Sequence, residues 1–376
     1  MSIFSTNKVD FLNQPIFFGA DPNIVRLDEP KYPIFEKLTT QQMSFFWISD
    51  EIDLNKDAKD FKKLSEQEQF IFITNIKFQI LLDSTQSRSI LISLLPHISL
   101  PAVECCIIAA GFFESIHNRS YTHIIRNIFA NPSEQFNTIL DDPMIIERAK
   151  SVTKAYDDFI EYSSYYKLLG YGEHKIISNN VETIININEY DLKYKLYINL
   201  VAIYILEGIR FYVSFACSFS FSELGTMEGN AKIISLISRD EAIHLAIIQN
   251  IIKILPKEDP LYLQIIEDSR ETIIEMFKEV ATQEKQWSGY LFKGGSVIGL
   301  NDVLLSQYVE YMTNKRMKTI GYKPIFPNTT NPLSWTEKYL SSKGSQPAPQ
   351  ETEILSYMVG SVDTNMDSGL FSGFKL

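Results

Sequence analysis

Cysteine is scarce. Cys105, Cys106 and Cys217 are the three in 376 residues, and no Cys-x-x-Cys pair occurs. That argues against a disulfide framework, a zinc–thiolate site and an iron–sulfur cluster. Two adjacent thiols in an apolar stretch read instead as reduced core residues of a cytoplasmic protein. Positive charge is also in deficit. With 35 basic and 46 acidic residues the net charge is −11, the wrong sign for a nucleic-acid binder. The first ten residues lack the basic-then-apolar pattern of a leader. No apolar run is long and charge-free enough for a membrane span. Tyr197 to Phe221 comes nearest, but it carries Glu207 and Arg210 near its middle and reads as a buried helix of a large bundle. Strand patterns are almost missing: His174 to Asn188, with partial alternation around Ser178-Asn179-Asn180, predicts a single β-hairpin.

What is present is helix. The chain is 45% hydrophobic, enough for a sizeable core. Residues 1–30 are broken by Pro15, Gly19, Pro22 and Pro30. A helix is expected over Ile34 to Phe46, ending near Trp47, then a charged connection from Asp50 to Lys63. Ser65-Glu66-Gln67-Glu68 is a capping box opening a helix that runs to about Leu95. Pro101 is placed to start the next helix, Asp142-Pro143 another, with Gly170 and Gly172 after its end. Long helices are then expected from Glu189 to Leu224, from Met227 to a stop at Pro256, and from Pro260 to Phe292. A helix capped by Asn301 follows and runs to Ile320. Residues 1–340 thus form the helical domain. From Ser341 the composition turns to small and polar residues, and 341–376 is expected to be a flexible tail.

Two Glu-x-x-His motifs stand out: Glu114 with His117, and Glu241 with His244. Helical geometry puts each pair on one face, and Tyr121 follows His117 by one further turn. A single such motif is better explained by a surface ion pair. Two copies on strongly apolar helices are not, because a buried carboxylate is costly unless it is paired or binds a cation. Asp83 and Glu207 lie in similarly apolar helices. One acid from each of two helices plus Glu-x-x-His from each of two others is the ligand pattern of the di-iron and di-manganese bundles. Four carboxylates balance two divalent cations, and oxygen with imidazole ligation suits iron or manganese.

On these residues the chain resembles the small, radical-generating subunit of bacterial class I ribonucleotide reductase. The likeness includes Pro15-Ile16-Phe17-Phe18-Gly19, Ser44-Phe45-Phe46-Trp47, Ser120-Tyr121-Thr122-His123, Glu207-Gly208-Ile209-Arg210-Phe211-Tyr212 and Arg239-Asp240-Glu241-Ala242-Ile243-His244. It implies an all-α, ferritin-like bundle and a homodimer that makes deoxyribonucleotides with a larger catalytic subunit. It further implies two iron ions per chain, with manganese an open alternative. These would react with dioxygen to leave a stable radical on Tyr121. Phe211, Phe215 and Ile237 would wall that radical off, and Trp47, Asp240 and His117 would carry oxidising equivalents outward. Tyr357, aided by Glu351, would pass them on, and Leu370, Phe371, Phe374 and Leu376 would dock the large subunit. An iron store of the same fold would need neither Tyr121 nor Trp47. A di-iron oxygenase would need a substrate pocket beside the metals, and a non-enzymatic helical interaction protein would not bury four acids.

Overall fold

A computed structural model of the chain describes residues 6, 8–10, 12–21, 23–178 and 181–340. The expected tail, with Glu351, Tyr357, Leu370, Phe371, Phe374 and Leu376, lies outside the described residues.

The helices begin where the capping chemistry says they should. Ser65 caps α3 (Glu66–Leu94): its side chain accepts from the Glu68 amide while the Glu68 carboxylate accepts from the Ser65 amide. Pro101 opens α4 (Pro101–Ile128), Asp142 caps α6 (Pro143–Leu169), and Asn301 caps α12 (Asp302–Thr319). The hairpin forms as expected, β1 (Gly172–Ser178) antiparallel to β2 (Val181–Ile187), with Gly172 opposite Ile187.

Several expected boundaries move. α1 (Pro33–Ser44) stops short of Trp47, which lies in the connection after it. That charged connection itself contains α2 (Asn55–Phe61), and a short α5 (Pro132–Asn137) follows α4. Pro256 does not end α9 (Glu228–Glu258); it sits in the last turn, where little helix remains to be disrupted. The helix expected over 260–292 is two, α10 (Leu261–Asp268) and α11 (Arg270–Leu291), separated at the fully buried Ser269. The long helix from Glu189 is interrupted as well. α7 (Glu189–Ile205) passes into a π-helical turn, Leu206–Arg210, before α8 (Phe211–Glu223). A π turn adds a residue to the i→i−4 repeat and frequently marks functional positions. Glu207 sits in it.

The bundle centre is built from α3, α4, α8 and α9. α3 packs on α4, α6 and α8, and α9 packs on α4 and α8. The Glu189–Glu223 stretch is long and apolar enough to cross a bilayer, yet 94% of its most apolar window is buried inside the fold. α13 (Glu337–Leu340) closes the described chain, with the Tyr339 ring stacked on Phe219 at 4.5 Å.

His97 ends the turn between α3 and α4, its ring packed against Phe18 and Phe159 at 5.4 and 5.2 Å. Burial pushes its pKa down from 6.5 to about 4. Below pH 6.5 the unfolded chain takes up a proton that the folded chain refuses. Stability from this group is therefore lost as pH falls from 6.5 towards 4, by about 3 kcal/mol in full. Denaturant titrations should show His97→Leu losing less stability than the parent over that window. Parallel pH profiles for the two proteins would contradict the assignment.

Candidate metal centre

Each acid of the expected set arrives on its own element. α3 brings Asp83, α4 brings Glu114 and His117, the π turn brings Glu207, and α9 brings Glu241 and His244. All six are buried. They form two overlapping groups whose ligand atoms lie within 4.8 Å of one another. One is Asp83, Glu114, His117 and Glu241; the other is Glu114, Glu207, Glu241 and His244. Glu114 and Glu241 belong to both.

The two imidazoles face the shared acids in the same way. His117 Nδ1 is 3.2 Å from Glu241 Oε1 and 3.7 Å from Glu114 Oε2. His244 Nδ1 is 3.1 Å from Glu114 Oε1 and 3.3 Å from Glu241 Oε2. None of these contacts has hydrogen-bond geometry. Both oxygens of Asp83, Glu114 and Glu241, Oε2 of Glu207 and Nδ1 of both histidines are buried without a hydrogen-bond partner. Buried polar groups are ordinarily satisfied. A cluster of acids and imidazoles left unsatisfied at one point fits a dimetal centre, with oxygen and nitrogen donors of the kind iron and manganese accept.

Without cations, protons must balance the charge. Burial, then the Glu114 charge, holds Asp83 well above the usual carboxylate range. Burial and the Glu241 charge do the same to Glu207. Burial would raise Glu241 too, but Glu207, His117 and His244 outweigh it and hold that group below the carboxylate range. Burial opposes charge on His244, yet Glu114 and Glu241 prevail and raise it to about 10. His117 is likewise raised, by Asp240, Glu114 and Glu241 against its burial.

Tyr121 is fully buried on α4. Its hydroxyl makes no well-formed hydrogen bond, although the Asp83 carboxylate is close enough to interact with it. Burial first, and that carboxylate second, push the phenol well above its usual pKa. Outward from the site, the Trp47 Nε1–H donates to Asp240 Oδ2 at 2.8 Å, and the same oxygen lies 3.3 Å from His117 Nε2. Phe211, Phe215 and Ile237 are fully buried, with the rings of Phe211 and Phe215 stacked 5.8 Å apart. A cavity of about 770 Å³ lies on the outer side of α4, between Phe46, Phe112, Arg119 and His123; none of the six metal-site residues lines it.

Three contributors were not assigned from the sequence. Arg239 reaches Asp240 Oδ1 and donates to the Phe45 carbonyl at 2.7 Å, fixing both ends of the Trp47 connection. Gln86 and Tyr156 hold Glu207 from the side. Only Gln86 left a trace: it lies one turn beyond Asp83 on the same face of α3.

A helical core carrying paired Glu-x-x-His motifs and two further buried acids defines a ferritin-like carboxylate bundle. Comparison with known proteins narrows this class. Residues 25–332 match the family described as ribonucleotide reductase, small chain, and the chain belongs to that family. It is 49% identical over 375 residues to the ribonucleoside-diphosphate reductase subunit beta of Buchnera aphidicola from Schizaphis graminum, with 99% of each chain covered. Identity to subunit beta of ribonucleoside-diphosphate reductase 1 of Salmonella typhimurium is 47%, again with 99% of each covered. Among solved structures, the R2 subunit of Clostridium botulinum superimposes with a TM-score of 0.76 at 26% identity, covering 91% of this chain and 98% of that one. Membership makes the chain the small subunit of an oxidoreductase, ribonucleoside-diphosphate reductase, acting with a large subunit and forming dimers.

Proposed function

We propose that Asp83, Glu114, His117, Glu207, Glu241 and His244 hold two iron ions, and that the chain uses them to oxidise Tyr121 to a stable radical. The two overlapping groups of unsatisfied buried ligands carry this reading. Held by these residues, an iron pair would supply the oxidising chemistry with dioxygen. Tyr121 would be the electron donor, and Asp83, whose charge acts on its hydroxyl, would take the phenol proton. Phe211, Phe215 and Ile237 exclude water and reductants from the radical.

The outward route uses Trp47, Asp240 and His117. Asp240 Oδ2 touches both neighbours and Arg239 holds its other oxygen, so the carboxylate cannot swing away. Tyr357, with Glu351 handling its proton, extends the route into the large subunit. Leu370, Phe371, Phe374 and Leu376 anchor the chain to that subunit. The reaction takes place in the cytoplasm, in keeping with three free cysteines.

Reconstituting metal-free protein with Fe(II) in air should yield two irons per chain and a tyrosyl signal by electron paramagnetic resonance. A stoichiometry of zero, or iron without any radical, would overturn the proposal. Mn(II) loading of the same protein separates metal choice from site geometry. For the tail, deleting Phe371 to Leu376 should leave metals and radical intact while association with the large subunit weakens. Tyr357→Phe should leave radical and association intact but stop turnover. Undiminished affinity in the first variant, or normal turnover in the second, would remove that part of the assignment.

A further inference from the structure

Among the four acids, Glu207 is treated differently by its surroundings. Both oxygens of Asp83, Glu114 and Glu241 lack hydrogen-bond partners, whereas Glu207 keeps only Oε2 free. Its Oε1 accepts a hydrogen bond from Nε2 of Gln86. Gln86 is itself fully buried, and its Oε1 accepts from the hydroxyl of Tyr156 on α6.

The order of these two bonds matters. A carboxamide has a donor end and an acceptor end. Bound to a metal, Glu207 would be a carboxylate, which accepts only, so Gln86 must present its N–H to it. The Tyr156 O–H then occupies the carbonyl end. Turning the amide over would set two oxygens against each other at Glu207 and face the phenol proton with an N–H₂ group. Tyr156 therefore locks the orientation, and Gln86 transmits it to Glu207. The acid sits in the π turn, so the direction it leaves the axis differs from that of a regular helical position.

Resting on the dimetal reading above, we propose that Gln86, locked by Tyr156, is a positioning residue that confines Glu207 to one metal-facing oxygen. The metal position it governs is the one formed by Glu114, Glu207, Glu241 and His244. Groups that orient ligands from behind typically alter metal affinity by about 10–100-fold when lost. With that hold lost, Glu207 Oε1 would be free to turn towards the metal position as well.

Co(II) is the probe, because its visible absorption reports coordination number. Metal-free full-length protein, parent, Gln86→Met and Tyr156→Phe, is titrated with Co(II) while absorbance and bound metal are followed. The parent should take two Co(II) per chain. Gln86→Met keeps the side-chain volume but has no N–H. It should bind one of the two ions about tenfold or more weaker, with weaker visible bands at that position and the other ion unaffected. Tyr156→Phe keeps the donor but releases the amide, so the same position should weaken by a smaller factor. A residue that merely filled space or satisfied a buried acid would change the melting of the metal-free protein and leave both binding phases and spectra as in the parent. That outcome overturns the proposal while two Co(II) in the parent still uphold the dimetal site. Fewer than two Co(II) in the parent removes both. Should Gln86→Met fail to fold, Tyr156→Phe decides: parent-like affinity and spectra overturn the proposal.

Discussion

Tyr121→Phe should abolish the radical and nucleotide reduction together while leaving metal content and stability almost untouched. The phenol is fully buried and its hydroxyl makes no well-formed hydrogen bond. Removing it breaks no partner and relieves a buried polar atom, so the change in unfolding free energy should stay within about 1 kcal/mol. Its oxidation, by contrast, is a property of the O–H group that phenylalanine lacks. Metal analysis, paramagnetic resonance and turnover with the large subunit, measured on one preparation, separate these effects. A persisting radical would move the assignment to another tyrosine, of which Tyr156, linked through Gln86 to Glu207, is the first to test.

Glu284→Gln should destabilise the fold by about 3–5 kcal/mol. Glu284 is fully buried between two buried arginines. Its carboxylate accepts from Arg148 Nε at 3.0 Å and from a second Arg148 nitrogen, and Arg210 Nη1 donates to it at 2.8 Å. The Arg148 guanidinium also lies between Phe78 and Trp287, 3.2 and 4.1 Å from their ring centroids. Burial, with Arg210 as a like-charged neighbour, pulls the Arg148 pKa down to about 9 even with the carboxylate present. Neutralising Glu284 leaves two buried cations without an anion. Because Arg210 is the last residue of the π turn, the defect also loosens the segment that carries Glu207. Denaturant unfolding of the metal-free protein measures the loss. A change below about 1 kcal/mol, the scale of an exposed pair, would show that water reaches the triad.

The sequence displayed whatever depends on neighbours along a helix. Ser65 with Glu68, Asp142 and Asn301 announce helix starts because a cap is a local hydrogen bond. The two Glu-x-x-His motifs are legible because their spacing matches one face of a helix. Asp83 and Glu207 emerge by contrast with apolar surroundings. What depends on distant partners is hidden. Glu284 lies in Gln283-Glu284-Lys285-Gln286, a run that reads as a solvated face, and its partner Arg148 is 136 residues away. Gln86 lies in the polar stretch Asp83-Ser84-Thr85-Gln86-Ser87, where only its spacing from Asp83 sets it apart. The π turn has no compositional mark either. Phe211 and Phe215 follow Glu207 by four and eight residues, which would share its face in a regular helix, and the extra residue in that turn shifts them around the axis. Their burial came out as expected because nearly every side of this segment is covered.

The same segment bears on how the newly made chain is sorted. A stretch from Glu189 to Glu223 with mean hydropathy 1.6 in its most apolar window is hard to tell from a bilayer-spanning helix before its neighbours have packed on it. Glu207 and Arg210 fall close to its midpoint. Placing an ionisable side chain at the centre of a span disfavours insertion by about 2.5–3.5 kcal/mol each on translocon-based scales. Together they offset the pull of many leucines and isoleucines at the moment when no tertiary contact yet protects the segment. The acid that reaches the metal cluster and the arginine that meets Glu284 would thus also weigh against lipid insertion of this helix before it packs into its bundle.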